Sequence, residues 1–295
     1  MLRIKPIKIR VALLAVLVEI CLMPLMGLCN LITETFTPNV VEVSLSKTIA
    51  ETPYLLMIFS MCLVPAILEE MLSRGLYLSA FLRTGRTLHA IFFAALCFAL
   101  AHGNINQFAY ALIAGVVMGL VVEATDSVIT GMVIHFVTNA LSVTIMYATY
   151  YANIAYEQTK ELFGTDESLQ VAGFLEDTEL MKSVEVMTRV IVGIIFVGLA
   201  ILGVMGIYRL IGRMAIISGR YEHMKSFMPE YGIFRMRNRF VEMMERSGSN
   251  KSEIKAVADL PCTRIMNPIL ALGMLIWVVD MVVYELIVHG GIIIK

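Results

Sequence analysis

Residues 53–82 read PYLLMIFSMCLVPAILEEMLSRGLYLSAFL, and this stretch decides the fold. It holds only three charged residues, Glu69, Glu70 and Arg74, inside an apolar run long enough to cross the ~30 Å hydrocarbon core of a bilayer as a helix. Lipid offers backbone N–H and C=O groups no partner, so a run of this kind must be helical. One similar run precedes it, Val11–Ile32. Five follow: Thr87–His102, Gln107–Ala124, Val128–Tyr151, Val186–Ile211 and Pro268–His289. The prediction is an all-α, polytopic transmembrane bundle of seven helices, or eight if residues 212–258 contain another.

Composition agrees. Hydrophobic residues make up 58% and charged residues 16% of 295, against about 45–50% and about 25% in soluble domains. The mean hydropathy is +0.79. A soluble enzyme, a disordered chain and a disulfide scaffold are excluded. The net charge of −1 gives no reason to expect a nucleic-acid partner. The five cysteines, Cys21, Cys29, Cys62, Cys97 and Cys262, show neither pairing nor metal-ligand spacing. Val11–Ile32 follows a basic stretch but carries Glu19 and no small-residue cleavage site, so it reads as an anchor, not a signal peptide.

Loop charge orients the bundle. The N-terminus carries four Lys/Arg and the segment Arg209–Arg264 eleven. Thr33–Thr52 carries one lysine against three glutamates, and Ala152–Glu185 two lysines against eight acids. The expectation is a multi-pass protein of the cell membrane with a cytoplasmic N-terminus. Four parts follow: residues 1–52, an anchor helix with an external loop; 53–151, a four-helix core; 152–185, an acidic external loop; and 186–295, two further helices around a basic cytoplasmic loop at 209–264. Arg235, Arg237 and Arg239 in that loop read as a topology signal, with anionic headgroups as the other reading.

Charged groups inside a bundle are costly and need an explanation. Glu70 and Arg74 stand four residues apart on one helix face and can pair. Glu69 points about 100° away and lacks that partner. Glu69 precedes the Gly85 turn by sixteen residues and His102 follows it by seventeen, so an antiparallel hairpin brings them level. A carboxylate beside an imidazole can hold and deprotonate a water. His135 and Asn139, four apart, can both donate N–H groups to one small volume, as an oxyanion requires. For His135 to join Glu69, the two turns flanking them must differ in height by roughly 10 Å at 1.5 Å per residue. Each pattern alone also has a structural reading, as an ion pair, a helix-end hydrogen bond or an interhelical pair. Ala111, Gly115 and Gly119 recur every four residues and read as a packing face. Glu19, Glu123, Asp280 and Glu285 are further acids in apolar runs with no partner assignable.

Taken together, Glu69-Glu70-x-x-x-Arg74, Phe98-x-x-x-His102 and His135-x-x-x-Asn139 resemble the three motifs of the CPBP (Abi) intramembrane proteases, which include the type II CAAX prenyl endopeptidases. The resemblance covers about Pro53–Tyr151. It implies an endopeptidase with Glu69 as general base assisted by His102, and with His135 and Asn139 as oxyanion hole. Glu70, Arg74 and Phe98 would give structural support. It implies no metal; zinc held by Glu69, His102 and His135 is the alternative. The expected partners are the lipid bilayer and a membrane protein or peptide substrate. Neither that substrate nor the oligomeric state is written in the residues. Two competing functions stay open: a catalytically silent scaffold or bacteriocin-immunity protein of the same fold, and a proton-linked transporter.

Overall fold

The computed structural model describes residues 2–37, 45, 48–163, 179–227 and 268–289. They form eight helices: α1 Ile9–Thr33, α2 Tyr54–Thr84, α3 Thr87–Leu100, α4 Ile105–Thr125, α5 Val128–Phe163, α6 Glu179–Ile217, α7 Tyr221–Phe227 and α8 Pro268–His289. Five of them, α1, α2, α4, α5 and α6, are long and apolar enough to cross a membrane; α3 and the Ala271–Val283 part of α8 are shorter apolar helices. Together they account for the seven predicted runs. The eighth helix, α7, falls inside residues 212–258, but its seven residues are too few to span. Arg235, Arg237, Arg239 and Cys262 lie outside the described residues, as does the side chain of Glu285.

Helices α5 and α6 run longer than hydropathy alone predicts. With 36 and 39 residues, they extend about 54 Å and 58 Å, well beyond the hydrocarbon thickness. The acidic stretch after Tyr151 is therefore helical as far as Phe163 and again from Glu179.

The α2 helix is continuous but not uniform. Ile58–Leu63 and Met71–Tyr77 are π-helical, and the α-helical turn Val64–Glu70 lies between them. Pro65 accounts for the first wide turn. It has no N–H to give the carbonyl four residues back, that of Met61, and its ring crowds the same group. In a membrane the freed carbonyl must find another donor. The second wide turn contains Ser73, Arg74 and Gly75, all buried. A left-handed Gly85 (φ 79°) then reverses the chain into α3, a conformation glycine adopts without strain.

Packing follows the small residues. Gly115 and Gly119 of α4 face Ala95 and Ile91 of α3, where a β-carbon would come within 2.9 and 2.8 Å of the neighbour. The predicted packing face is thus the α3–α4 contact. A second seam, between α1 and α6, uses Gly203 and Gly206 against Cys21, and Gly27 against Phe196. Buried Asn106 at the start of α4 donates to Asn30 (3.0 Å) and Thr33 (2.9 Å) at the end of α1.

At the opposite end of the bundle, Glu123 of α4 is fully buried. It accepts from Arg3 (2.5 Å) and bonds His223 (2.8 Å), with Arg220 at 3.6 Å. Lys5 pairs with Asp126, Ser127 donates to the Lys5 carbonyl (2.5 Å), and Val128 N–H donates to the Arg3 carbonyl (3.0 Å). The stretch ahead of α1 is thereby stitched to the α4–α5 turn and to α7. Sequence alone assigns Glu123 no partner because Arg3, Arg220 and His223 are each more than ninety positions away.

Candidate functional site

The site is built where α2 lies antiparallel to α5. Tyr54 meets Thr144 (2.9 Å) and stacks edge-on against Tyr147 (5.2 Å between rings). Further along, Asn139 donates to the Met61 carbonyl (3.1 Å), and Glu70 reaches His135 (3.1 Å). This register brings the beginning of α5 opposite the neighbourhood of Arg74, so Leu76–Gly85 run on past it. The offset between the two turns needed for His135 to meet the glutamates is thus provided by the α2–α5 pairing.

Glu70 and Arg74 form the predicted ion pair at 2.6 Å, with side chains 0% and 1% exposed. Burial of such a pair is tolerable only when the remaining hydrogen-bonding capacity is used. Arg74 donates also to the Gly115 carbonyl (3.1 Å) and lies over the Phe98 ring at 4.5 Å, a cation–π contact. Gly131 makes room for the carboxylate, since a β-carbon there would come within 2.6 Å of Glu70 Oε2. Phe98 is the hub of the cluster. Besides Arg74 it touches His102 and His135 edge-on, at 4.8 and 5.8 Å between ring centres.

Glu69 has a different environment. Its side chain is 42% exposed, and Oε2 lies 3.9 Å from His135 Nε2. That separation is too long for a direct hydrogen bond, and a small polar molecule set to one side can bridge the two groups. His135, 8% exposed, gives Nδ1–H to Glu70 and turns Nε2 toward Glu69. His102 is fixed in the same way, by Nδ1–H donation to the Phe98 carbonyl (2.9 Å). In both histidines the other ring nitrogen, Nε2, is left for chemistry. Asn139 lies on the same helix face as His135, and one of its two N–H groups is committed to Met61.

Two features escape motif reasoning. Asn139 answers Pro65: the carbonyl it caps is the one the proline strands, a link readable from the i−4 rule once α2 and α5 are known to be neighbours. Glu19 of α1, 1% exposed, lies beside the Thr138 hydroxyl, with Oε2 lacking a hydrogen-bond partner among the described residues. Nothing local in the sequence around Glu19 points to this site. Asp280 is exposed on α8 and takes no part.

Among the described residues, no three His, Cys, Asp or Glu side chains converge closely enough to hold a metal ion.

No curated protein and no solved structure matches the chain. Residues 51–141, which carry Glu69, Glu70, Arg74, Phe98, His102, His135 and Asn139, do match a family, that of the type II CAAX prenyl endopeptidases, Rce1-like, and the match supports a CPBP-family intramembrane endopeptidase.

Proposed function

We propose that the chain hydrolyses a peptide bond in a membrane-associated protein or peptide, with Glu69 as the general base. One observation carries this reading. Of two adjacent carboxylates, Glu70 is sealed and paired through Oε1 with Arg74 and His135, whereas Glu69 is accessible and faces His135 Nε2 at 3.9 Å. Two neighbouring groups of one type held in opposed environments are the usual basis for dividing structural from chemical work.

In this mechanism Glu69 takes a proton from water as the water oxygen bonds to the scissile carbonyl carbon, and His102 Nε2 helps to orient that water. Charge moves onto the carbonyl oxygen, which the second Asn139 N–H and His135 stabilise. Because Nδ1–H of His135 is used by Glu70, its Nε2 can donate only as imidazolium. The proton held by Glu69 then passes to the leaving amine as the C–N bond breaks. A prenylated CAAX tail is the substrate named for the matching family, and it is the first peptide to offer this chain.

The test compares membrane-protein termini in cells carrying the intact chain or Glu69→Gln. New termini present with the first and absent with the second are expected. Identical termini, with both proteins folded and inserted, would favour the silent scaffold or the transporter. Loss of cleavage on chelation, with recovery on adding zinc, would overturn the metal-free mechanism.

A further inference from the structure

A groove of about 410 Å³ lies between α1 and α6, at the end of the bundle where Glu123 is buried. It is lined by Arg10, Leu13 and Leu14 from α1, and by Arg213, Ile216 and Ile217 from α6. Each helix contributes the same pattern, an arginine followed three and four residues later by two aliphatic side chains, which puts all three on one helix face. The groove therefore has a guanidinium on either wall and an apolar lining.

The cations at this end fall into two groups. Arg3, Lys5 and Arg220 are engaged by Glu123 and Asp126. Arg10 and Arg213 are exposed and have no carboxylate within ion-pair distance among the described residues. Lys8 is close by, donating to the Ile217 carbonyl at 3.3 Å. Past the groove, the exposed side chains of Leu13, Leu17 and Ile20 continue as an apolar stripe along α1.

From this juxtaposition we infer that the α1–α6 groove binds an anionic phospholipid. The two guanidiniums take the phosphate and the aliphatic stripe takes an acyl chain. Guanidinium forks suit phosphate oxygens, arginine stems lie readily along apolar surface while the charge stays at the interface, and basic side chains at a membrane surface attract anionic lipid. A zwitterionic headgroup would bring an ammonium against two unneutralised guanidiniums. The inference is independent of the peptidase reading.

The experiment is native mass spectrometry of the full chain in detergent micelles, titrated with phosphatidylglycerol or with phosphatidylcholine of the same acyl chains. Phosphatidylglycerol should be retained in preference. The Arg10→Gln/Arg213→Gln double variant should need about thirtyfold more of it, near fivefold for each arginine. The single variants carry the test should the double variant not fold. Arg83→Gln/Arg86→Gln, which removes equal charge outside the groove, should bind as the parent does. Equal retention of the two lipids, an unchanged titration for the groove variants or an equal loss in the Arg83/Arg86 control would each overturn the inference. Displacement of the lipid by inorganic phosphate at like concentration would do so as well, since the groove would then be reading a free anion.

Discussion

Two buried clusters in this protein are made of the same residue types. At one end Glu123 sits with Arg3, Arg220 and His223; near the middle of α2, Glu70 sits with Arg74 and His135. Both carboxylates are 0% exposed. The first cluster joins segments far apart in sequence. The second has Glu69 next along the chain, accessible and facing an imidazole that Glu70 already orients. A buried Glu–Arg–His group is therefore not in itself a sign of chemistry. What distinguishes the second is an accessible carboxylate held next to one sealed in an ion pair.

The largest expected effect tests that distinction. Glu69→Gln should lower cleavage about 10²- to 10⁴-fold, the usual worth of a general base, with an unchanged melting temperature. A folded variant that still cleaves would dissolve the contrast between the clusters.

Next come the two buried carboxylates. Glu70→Leu leaves Arg74 buried and unpaired, and Glu123→Leu does the same to the groups around it. Each should destabilise by about 3–5 kcal/mol, measurable as loss of thermal stability in detergent. The clusters should separate in activity per folded molecule: lost with Glu70→Leu, because His135 loses its orienting partner, and retained with Glu123→Leu.

Asn139→Ala should cost about 1–3 kcal/mol by leaving the Met61 carbonyl without its donor. Pro65→Ala restores a backbone N–H four residues on, and in that background the stability cost should shrink. Cleavage should stay lost in the double variant if the second Asn139 N–H serves the oxyanion; recovered cleavage would reduce Asn139 to a cap for α2. Smallest is Lys5→Ala, whose partner Asp126 is at the surface. It should change stability by less than about 1 kcal/mol, and less still at high salt.

Much of this was legible in the sequence because the signals are local. Apolar runs locate the spans, and the last of them, Pro268–His289, has the predicted bounds. The four-residue spacing of Glu70 and Arg74 reports the ion pair, and Ala111, Gly115 and Gly119 report the face against α3. What was not legible depends on partners distant in the chain. Glu123 gains its neighbours from residues 3, 220 and 223, and Glu19 reaches the site only because α1 packs on α5. The ends of α5 and α6 were missed for another reason. Hydropathy measures where lipid ends, and a polar helix can continue past it. The wide turns of α2 were hidden as well, although Pro65 indicates the first.

Those wide turns have a consequence for chain length. Each residue of an α-helix advances the chain by about 100° and 1.5 Å, and a π turn accommodates surplus residues without breaking the rod. Removing one residue between Ile58 and Leu63 would relax that turn toward ordinary α geometry. Both glutamates would then keep their direction with Tyr54 still docked on Tyr147, whereas a deletion that no wide turn absorbed would swing them about a quarter-turn around the axis. The aim of the carboxylates is thus encoded partly in a count, and the wide turn is where that count has slack.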